Sequence, residues 1–361
     1  MEPRFKSRII MTEKLVLTEQ DYRDVNMDSS SSVKEFSLDR KKYYRKYILK
    51  DNITDKDTQA IMMGHLVETL LWEPHLFDDK FYMSSCVSVP TGLMLAFVEA
   101  MYTHTKAATN EDGVVESTFE ELAQLAYEDS GFKIKFDAVV SKFADSDAMV
   151  YFEEICTVRS NNLQVVDSND VNNAEKIVAE LQSNPITANI VNQVTNHRFT
   201  VLDQHKVVGY NVLEHNAKSM MDRVIIDHQE KTIQVYDLKC TWSVENFYRE
   251  YYLFRRTYIQ AHFYFRACTH LRDNDPDLKN YVVEYPKFIV CDSINYFSPL
   301  IYTLDRGDME DALSGFTYKS RIYPGVSEIL DNLKWAKDHD CWNISKTAAE
   351  AGGVINIKYD A

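Results

Sequence analysis

The sequence predicts a mixed α/β protein in which a central mixed sheet is flanked by helices and a large helical segment is inserted. Two observations predict this class. Apolar runs around residues 207–240 and 281–304 have the length and period of strands, with polar turns between them. Most of the remaining chain repeats apolar residues at three- and four-residue spacing, as amphipathic helices do. A chain of 361 residues can bury one large core with an insertion, or form two domains.

The composition indicates a globular protein that does not enter a membrane. No apolar run approaches the roughly eighteen residues of a spanning helix, and the charged N-terminus does not have the pattern of a signal peptide. No Cys-x-x-Cys pair occurs, so we expect reduced thiols rather than disulfides or a zinc site. The six cysteines are Cys86, Cys156, Cys240, Cys268, Cys291 and Cys341. We therefore expect a cytoplasmic protein.

Residues 1–85 are predicted to form the N-terminal helical part of the core. Residues 1–28 have the pattern of a strand or loop. Residues from Asp28-Ser29 to Ser32 offer N-caps, and Ser32-x-x-Glu35 has the form of a capping box, for a helix that continues through Tyr47. A second helix is predicted over Thr58–Leu71. Its buried stripe is expected to comprise Ile61, Leu66, Val67, Leu70 and Leu71. Glu68 lies on this helix, and the helix pattern alone favours a surface glutamate there.

Residues 86–205 are predicted to be a mostly helical insertion. The segments with helical spacing are Gly92–Met101, Glu116–Ser130, Phe136–Phe152 and Asn172–Gln182. Residues 161–173 are polar and are predicted to be a loop. No residue pattern here indicates chemistry. We expect the insertion to shape a channel, to mediate contacts between subunits, or both.

Residues 206–361 are predicted to contain the sheet and the C-terminal helices. The predicted strands are Val207–Glu214, the two strands of a hairpin at residues 224–226 and 233–238, Tyr281–Cys291 and Tyr296–Leu304. The predicted helices are Val244–Leu271, Asp308–Phe316 and Val326–His339. Pro286 is expected to mark a sheet edge or a bulge, because proline cannot donate a ladder hydrogen bond.

The hairpin carries the residues that indicate chemistry. Asp222 precedes its first strand, and Asp237 ends its second strand fifteen residues later. Adjacent strands lie about 5 Å apart, so the two carboxylates can meet and offer oxygen ligands to Mg²⁺. Lys239 lies two residues after Asp237 and therefore projects to the same side of the strand. Such a set can hydrolyse a phosphodiester, since the metal activates water and the ammonium offsets developing negative charge.

The tripeptide Asp-x-Lys is a weak signal by itself. Asp39–Lys41, Asp78–Lys80 and Asp277–Lys279 also fit it. Only Asp237 closes an apolar strand that has a second Asp on the preceding strand. The strand context, rather than the tripeptide, therefore supports the interpretation.

Asp222, Asp237-x-Lys239 and a helix with Gln260-x-x-x-Tyr264 together resemble the PD-(D/E)XK nuclease superfamily. Within it, the chain is most similar to the RecE-type and lambda-exonuclease-type phage recombination exonucleases. Residues 236–264 follow the RecE pattern almost continuously, and residues 64–74 resemble that family's first motif. The resemblance covers residues 1–80 and 207–304. Glu68 stands where the family often has His, and Met221 replaces the Pro that usually precedes the first Asp.

The resemblance implies a restriction-endonuclease-like core and a Mg²⁺-dependent exonuclease, with Mn²⁺ as a substitute, that degrades linear double-stranded DNA from 5′ to 3′. Glu68, Asp222, Asp237 and the backbone carbonyl of Leu238 would hold the metal. Asp222, Asp237, Lys239 and Gln260 would form the catalytic set. The resemblance further implies a single-strand annealing protein as partner, a ring-shaped homo-oligomer, and action in a bacterial cytoplasm if a phage encodes the chain.

Gln260 and Tyr264 lie one turn apart on the predicted long helix and face the same way. Gln260 can hydrogen-bond the attacking water or a phosphate oxygen. Tyr264 can contact the DNA backbone or brace the site, and an aromatic residue at this spacing is more often part of the core.

The net charge of −15 weighs against DNA binding, which depends largely on Lys and Arg at phosphates. Basic residues are nevertheless concentrated in residues 40–50 and along the predicted helix that starts at Val244. A local basic surface can steer DNA despite an acidic total. The candidate DNA-contacting residues are Arg40, Lys41, Lys42, Arg45, Arg255, Arg256 and Tyr264. Each basic residue is about as often a solvated helix residue.

Two other functions remain open from the sequence. The same core can serve a structure- or site-specific endonuclease, which would cut DNA that has no free end. The acidic balance also permits a non-catalytic protein that binds DNA-binding partners as a DNA mimic. The acidic-acidic-lysine set speaks against the second alternative, because a scaffold does not require it.

Overall fold

The computed structural model describes residues 17–51, 59–296 and 298–355, and it divides into two compact units. The sheet unit comprises Met1–Ala60 and Glu180–Ala361, and the helical unit comprises Ile61–Ala179. The predicted start of the second helix at Thr58, and the lead-in before Leu17, lie outside the described residues.

The unit boundaries differ from residues 86–205 for a physical reason. Phe81–Met83 forms a strand whose residues pair in parallel with Gln164–Val166. This ladder joins residues near 80 to the helical unit rather than to the sheet. At the other end, the helical unit closes at Ala179, within a helix that the sequence pattern places inside the insertion.

The helices, in chain order, are α1 (Glu19–Asp24), α2 (Ser30–Leu38), α3 (Arg40–Tyr43), α4 (Gln59–Trp72), α5 (Phe77–Lys80), α6 (Gly92–Ala107), α7 (Phe119–Ser130), α8 (Phe136–Ala144), α9 (Asp147–Asn161), α10 (Ser168–Ser183), α11 (Ala188–Val191), α12 (Thr257–Asn274), α13 (Arg306–Ser314), α14 (Val326–Asp338) and α15 (Lys346–Glu350). Two π-helical segments, Tyr44–Ile48 and Tyr248–Phe254, follow α3 and precede α12. No helix among the described residues has the length and apolar character needed to cross a membrane.

The strands are β1 (Asp28–Ser29), β2 (Phe81–Met83), β3 (Gln164–Val166), β4 (Phe199–Val212), β5 (His215–Asp227), β6 (Thr232–Thr241), β7 (Val282–Val283), β8 (Lys287–Asp292), β9 (Leu300–Tyr302), β10 (Gly315–Tyr318) and β11 (Arg321–Pro324). Seven of them form one sheet with the path β1-β5-β6-β8-β9, to which β4 adds through β5 and β7 through β6. The pairs β4–β5, β5–β6 and β8–β9 are antiparallel, whereas β1–β5, β6–β7 and β6–β8 are parallel.

The predicted fold class, a mixed α/β protein with a central mixed sheet and flanking helices, is confirmed. α12 packs against β4, β5 and β6, and α2, α13 and α14 continue the helical layer around it. The arrangement is consistent with the restriction-endonuclease-like core that the resemblance implies.

The β5–β6 hairpin forms as its apolar pattern predicts. Val224, Ile226, Ile233 and Val235 are at most 4% exposed, and each contributes about 1.5–3 kcal/mol by leaving water. The turn between the strands is closed by Asp227, whose Oδ1 accepts hydrogen bonds from the backbone N–H groups of the two residues after His228, at 2.9 and 3.0 Å.

The predicted N-terminal helix consists of two helices, α2 and α3, and the capping box predicted at Ser32 is wrong. Ser29, rather than Ser32, caps α2, and the two residues bond reciprocally through side chain and backbone. Asp39 then adopts an extended conformation, which ends α2, and its side chain caps α3 through the N–H of Lys42. The stripe predicted for α4 is correct at Leu66 and Val67 and wrong at Ile61, which is 39% exposed.

The predicted helix Val244–Leu271 is also interrupted. Its first part is a short 3-10 turn and the π-helical segment, and α12 begins only at Thr257. The break lies at Arg256, whose φ of 53° is left-handed and cannot continue a right-handed helix.

The predicted strand Tyr281–Cys291 is divided by Pro286 into β7 and β8. Both parts pair with β6, and β8 also pairs with β9, so the proline does not mark a sheet edge. Val283 pairs with Ile233 and Lys287 with Tyr236, which leaves one more residue on the proline side than on β6, so the predicted bulge is present. In the helical unit, the predicted helix Phe136–Phe152 ends at Ala144 and restarts at Asp147. The predicted loop 161–173 contains β3 and the start of α10.

Candidate active site at the separation of β5 and β6

Asp222 and Asp237 meet where β5 and β6 stop pairing. The antiparallel ladder between these strands ends at Arg223 and Tyr236. The next position on each strand is an aspartate, and Asp222 Oδ2 accepts a hydrogen bond from the backbone N–H of Leu238 at 2.8 Å. Beyond this point β6 continues beside β8. The two carboxylates that the sequence places on neighbouring strands are therefore brought together.

Asp237 is fully buried, and its two oxygens have different surroundings. Oδ1 accepts a hydrogen bond from Gln260 Nε2 at 2.7 Å. Oδ2 lies against the Lys239 ammonium but has no hydrogen-bond partner of acceptable geometry among the described residues. A buried charged oxygen normally completes its hydrogen bonds, so Oδ2 is the kind of atom that a bound ligand would satisfy.

Lys239 lies on the same side of β6 as Asp237. Its ammonium also contacts the backbone carbonyl oxygen of Leu238 at 3.3 Å, and its side chain is 22% exposed. The ammonium therefore faces the two β6 oxygen groups that the resemblance assigns to a metal. A cation is electrostatically favoured at this position, and the partial exposure leaves it open to a solute.

Gln260 and Tyr264 brace Asp237 from α12. The amide of Gln260 donates to the Tyr264 hydroxyl at 2.8 Å as well as to Asp237, and that hydroxyl donates to the carbonyl of Met220 on β5 at 2.8 Å. Burial raises the pKa of Tyr264 well above its ordinary value, and the Asp222 and Asp237 carboxylates raise it further, so the hydroxyl keeps its proton. Since Tyr264 is only 3% exposed, the structure favours its bracing role over contact with DNA.

The described oxygens suit Mg²⁺. No group of three or more His, Cys, Asp or Glu side chains arranged for a metal occurs within residues 17–51, 59–296 and 298–355. Mg²⁺, however, is commonly bound through one or two carboxylates and keeps several waters. Asp222, Asp237 and the Leu238 carbonyl supply such a donor set, and the unsatisfied Asp237 Oδ2 supports it. Glu68 is half-buried on α4 in the helical unit, and its role as a ligand stays a prediction.

The other Asp-x-Lys tripeptides have structural surroundings. Asp39 caps α3, and Lys80 pairs with Glu73 at 2.6 Å. Asp277 lies in the 3-10 turn Pro276–Leu278 outside the sheet. The position on a sheet strand therefore distinguishes Asp237-x-Lys239 from the other three Asp-x-Lys tripeptides.

The predicted DNA-contacting residues have varied surroundings. Lys42 pairs with Glu35 at 2.9 Å, and Arg45 pairs with Asp51 at 3.0 Å. The guanidinium of Arg40 lies 5.4 Å from the ring centroid of Phe36, while Lys41 is exposed. These side chains lie on α3 and the π-helical segment after it. Their contact with DNA stays a prediction.

The adjacent residues Arg255 and Arg256 differ in solvent exposure and in their contacts. Arg255 is exposed, and its guanidinium lies 4.5 Å from the ring centroid of Tyr251. Arg256 is half-buried and donates to the Ser37 carbonyl at 2.8 Å. The Arg256 side chain thus links α2 to the start of α12, whereas Arg255 remains available to a ligand.

Lys34, on α2, is a charged residue beside the site that the sequence pattern did not single out. Burial lowers its pKa to about 8, with Lys239 as the second cause, while the nearby Asp237 carboxylate acts in the opposite direction. Lys34 directly follows the buried Val33 on α2, and the effects of Lys239 and Asp237 on its pKa relate it to β6, which the sequence pattern does not show.

The comparisons with known proteins give one distant structural likeness. No family model matches the chain, and no curated protein shows a significant match. The crystal structure of a "Putative exonuclease" from Eubacterium rectale is similar to this chain with a TM-score of 0.44 and 11% sequence identity. The likeness covers 94% of this chain and 88% of that one. At this TM-score it supports no argument about activity, which must come from the site itself.

Proposed function

We propose that this protein is a Mg²⁺-dependent deoxyribonuclease that hydrolyses phosphodiesters of linear double-stranded DNA. The observation that carries the proposal is the pair Asp222 and Asp237 with Lys239 at the point where β5 and β6 separate. Asp237 is fully buried there, and its Oδ2 lies against the Lys239 ammonium without a hydrogen bond of acceptable geometry. Burying such charged groups costs desolvation free energy, and clusters of buried ionisable groups are enriched at functional sites.

The residues of the site have distinct roles in this proposal. Asp222, Asp237 and the Leu238 carbonyl hold Mg²⁺, with Glu68 as a further proposed ligand, and Mn²⁺ substitutes for it. The metal supplies polarisation of the phosphate and activation of water. Lys239 offsets the negative charge that develops on the phosphate oxygens. Gln260 keeps the Asp237 carboxylate in position through the 2.7 Å hydrogen bond to Oδ1.

The direct test is incubation of a linear duplex with the protein and Mg²⁺. We expect degradation that requires the metal, that stops in EDTA, and that falls by about 10²-fold to 10³-fold in Lys239→Ala. Lys334→Ala, which changes an exposed lysine of α14, is the matched control and should degrade DNA as the wild type does. Equal degradation by Lys239→Ala and wild type would contradict the assigned site.

We further propose exonuclease action from 5′ to 3′, which rests on the resemblance of the motifs. A duplex labelled at one 5′ end and, separately, at one 3′ end reports the polarity by which label is released first. A closed circular plasmid should stay intact. Cleavage of that plasmid would instead support an endonuclease on the same core, and absence of cleavage of any DNA would favour the non-catalytic alternative.

A further inference from the structure

The half-buried Lys34 has no partner of its own in the part of the chain that the structure describes. It donates no hydrogen bond and forms no ion pair there. Its neighbours Val33 and Phe36 are buried, so α2 is fixed against the core and holds Lys34 in place. Lysines that lose solvent are normally paired, because burying an unpaired ammonium is costly.

Two hydrogen bonds attach the segment that carries Arg255 to the helix of Lys34 and to the strand of Lys239. Arg256 donates to the carbonyl of Ser37, which lies one helical turn after Lys34. The Tyr251 hydroxyl donates to the carbonyl of Cys240, the residue after Lys239, at 3.0 Å. The corner between the π-helical segment and α12 is therefore attached both to α2 and to β6.

Three cations, Lys34, Arg255 and Lys239, lie on the side of the site that faces α2, while Asp222 and Asp237 supply its acidic groups. Lys239 and Arg255 both lower the pKa of Lys34, after burial as the largest cause, so both positive charges act on the Lys34 ammonium. Glu35, the acidic neighbour on α2, pairs with Lys42 at 2.9 Å. Asp237 faces Lys239 and carries one negative charge. An anion bound among the three cations would relieve their repulsion.

We propose that Lys34, with Arg255, binds a backbone phosphate of the DNA beside the position where Lys239 meets the substrate. This assignment rests on the proposed function and deepens it, because it names how the strand is held at the site. The Lys34 ammonium binds phosphate as a point charge and the Arg255 guanidinium as a planar donor, and neither contact carries sequence information. Lys34 remains protonated at pH 7, since its pKa of about 8 lies above that pH.

The test is the salt dependence of DNA binding in EDTA, where the metal-dependent reaction is absent. A fluorescein-labelled blunt duplex is titrated by anisotropy at several salt concentrations with wild type, Lys34→Met, Lys34→Arg and Lys334→Ala. Methionine keeps the apolar stem of the side chain and removes only the charge. Loss of one phosphate contact reduces the slope of log K against log salt by about 0.9.

We expect Lys34→Met to bind about tenfold more weakly at low salt, with that smaller slope. Lys34→Arg should keep most of the affinity, and Lys334→Ala should match the wild type. Equal slopes for Lys34→Met and wild type would overturn the proposal, and so would an equal loss in Lys334→Ala. If Lys34→Met does not fold, judged by circular dichroism, Lys34→Gln takes its place.

The outcomes separate this proposal from the proposed function. If the wild type cleaves DNA with Mg²⁺ and Lys34→Met has an unchanged salt slope, the nuclease function is supported and the Lys34 phosphate contact is rejected. If DNA binding depends on Lys34 but the wild type cleaves no DNA, the nuclease function is rejected and the phosphate contact is supported. A wild type that binds no DNA overturns both.

Discussion

Two aspartates on the same hairpin, Asp227 and Asp237, have opposite surroundings. Asp227 accepts from two backbone N–H groups and from Arg198, whose Nη2 lies 2.7 Å from Oδ2. Asp237 is more deeply buried, yet it leaves Oδ2 without a hydrogen bond beside Lys239. One carboxylate completes its bonds within the chain, and the other does not.

This difference distinguishes a structural carboxylate from a candidate ligand. The turn at Asp227 gains stability because both oxygens of this carboxylate accept hydrogen bonds within the chain. The buried charge of Asp237 does not increase the free energy of unfolding, because its desolvation is costly. Strand β6 thus begins beside the turn at Asp227 and carries the candidate site at Asp237, and mutations at the two aspartates should affect different properties.

The largest expected effect is at Asp237. Asp237→Asn keeps the acceptor for Gln260 and removes the charge that faces Lys239, so cleavage of linear duplex should fall by about 10³-fold or more. Asp227→Asn is the matched control, since it makes the same chemical change on the same hairpin and should leave cleavage unchanged. Initial rates of release from a labelled duplex measure both. Equal losses in the two variants would remove the contrast.

The next effect concerns Lys239. Lys239→Met should reduce cleavage by about 10²-fold to 10³-fold, because the charge that offsets the phosphate is lost. The same variant should bind Mn²⁺ at least as tightly as the wild type, because the competing ammonium beside Asp237 Oδ2 is gone. A calorimetric titration measures the affinity. Weaker Mn²⁺ binding in Lys239→Met would show that the lysine supports the metal rather than competing with it.

A smaller effect is expected from the residues that brace Asp237. Gln260→Leu removes the donor to Oδ1, and the resulting misplacement of the carboxylate should slow cleavage by about 10²-fold. Tyr264→Phe should cost about 1 kcal/mol of unfolding free energy, because the Met220 carbonyl loses its donor, with a milder effect on rate. Rates and urea unfolding give both values. If Tyr264→Phe has weaker DNA affinity but unchanged stability, the result would support a direct contact between Tyr264 and DNA instead.

The smallest effect is on stability at the turn. The hydrogen bond from Arg198 lowers the pKa of Asp227 to about 2, below its ordinary value of 3.8. A carboxyl with a depressed pKa stabilises the fold above the unfolded pKa and loses that contribution as the pH falls through the folded pKa. Asp227→Asn should therefore lower unfolding free energy by about 1 kcal/mol at pH 7, and the difference should disappear between pH 4 and pH 2. Thermal unfolding across that range measures it, and a difference that persists at pH 2 would contradict the assignment.

The sequence predicted the parts of this molecule that depend on local pattern. The hairpin, β8, α13 and α14 follow from apolar periodicity, and the meeting of Asp222 with Asp237 follows from strand pairing. The sequence pattern does not predict the helix break at Arg256 or the division of the strand at Pro286 into β7 and β8, because tertiary contacts override the local helix and strand patterns there. Arg256 donates to Ser37 on a distant helix, a contact that no local pattern encodes.

Lys34 illustrates the same limit at the site. Its helix is predictable, but its approach to Lys239 depends on how α2 packs beside the corner at Arg256. The unsatisfied oxygen of Asp237 is also invisible in the sequence, since it results from the positions of Gln260 and Lys239 around one carboxylate. Residue types can indicate a site, whereas the completeness of its hydrogen bonds requires the fold.

Calorimetric titration of Mn²⁺ into the wild type, Asp237→Asn and Asp227→Asn tests most directly whether the site at Asp237 holds a divalent cation. The account predicts binding heat for the wild type and for Asp227→Asn, and its loss in Asp237→Asn. Undiminished Mn²⁺ binding by Asp237→Asn would contradict it.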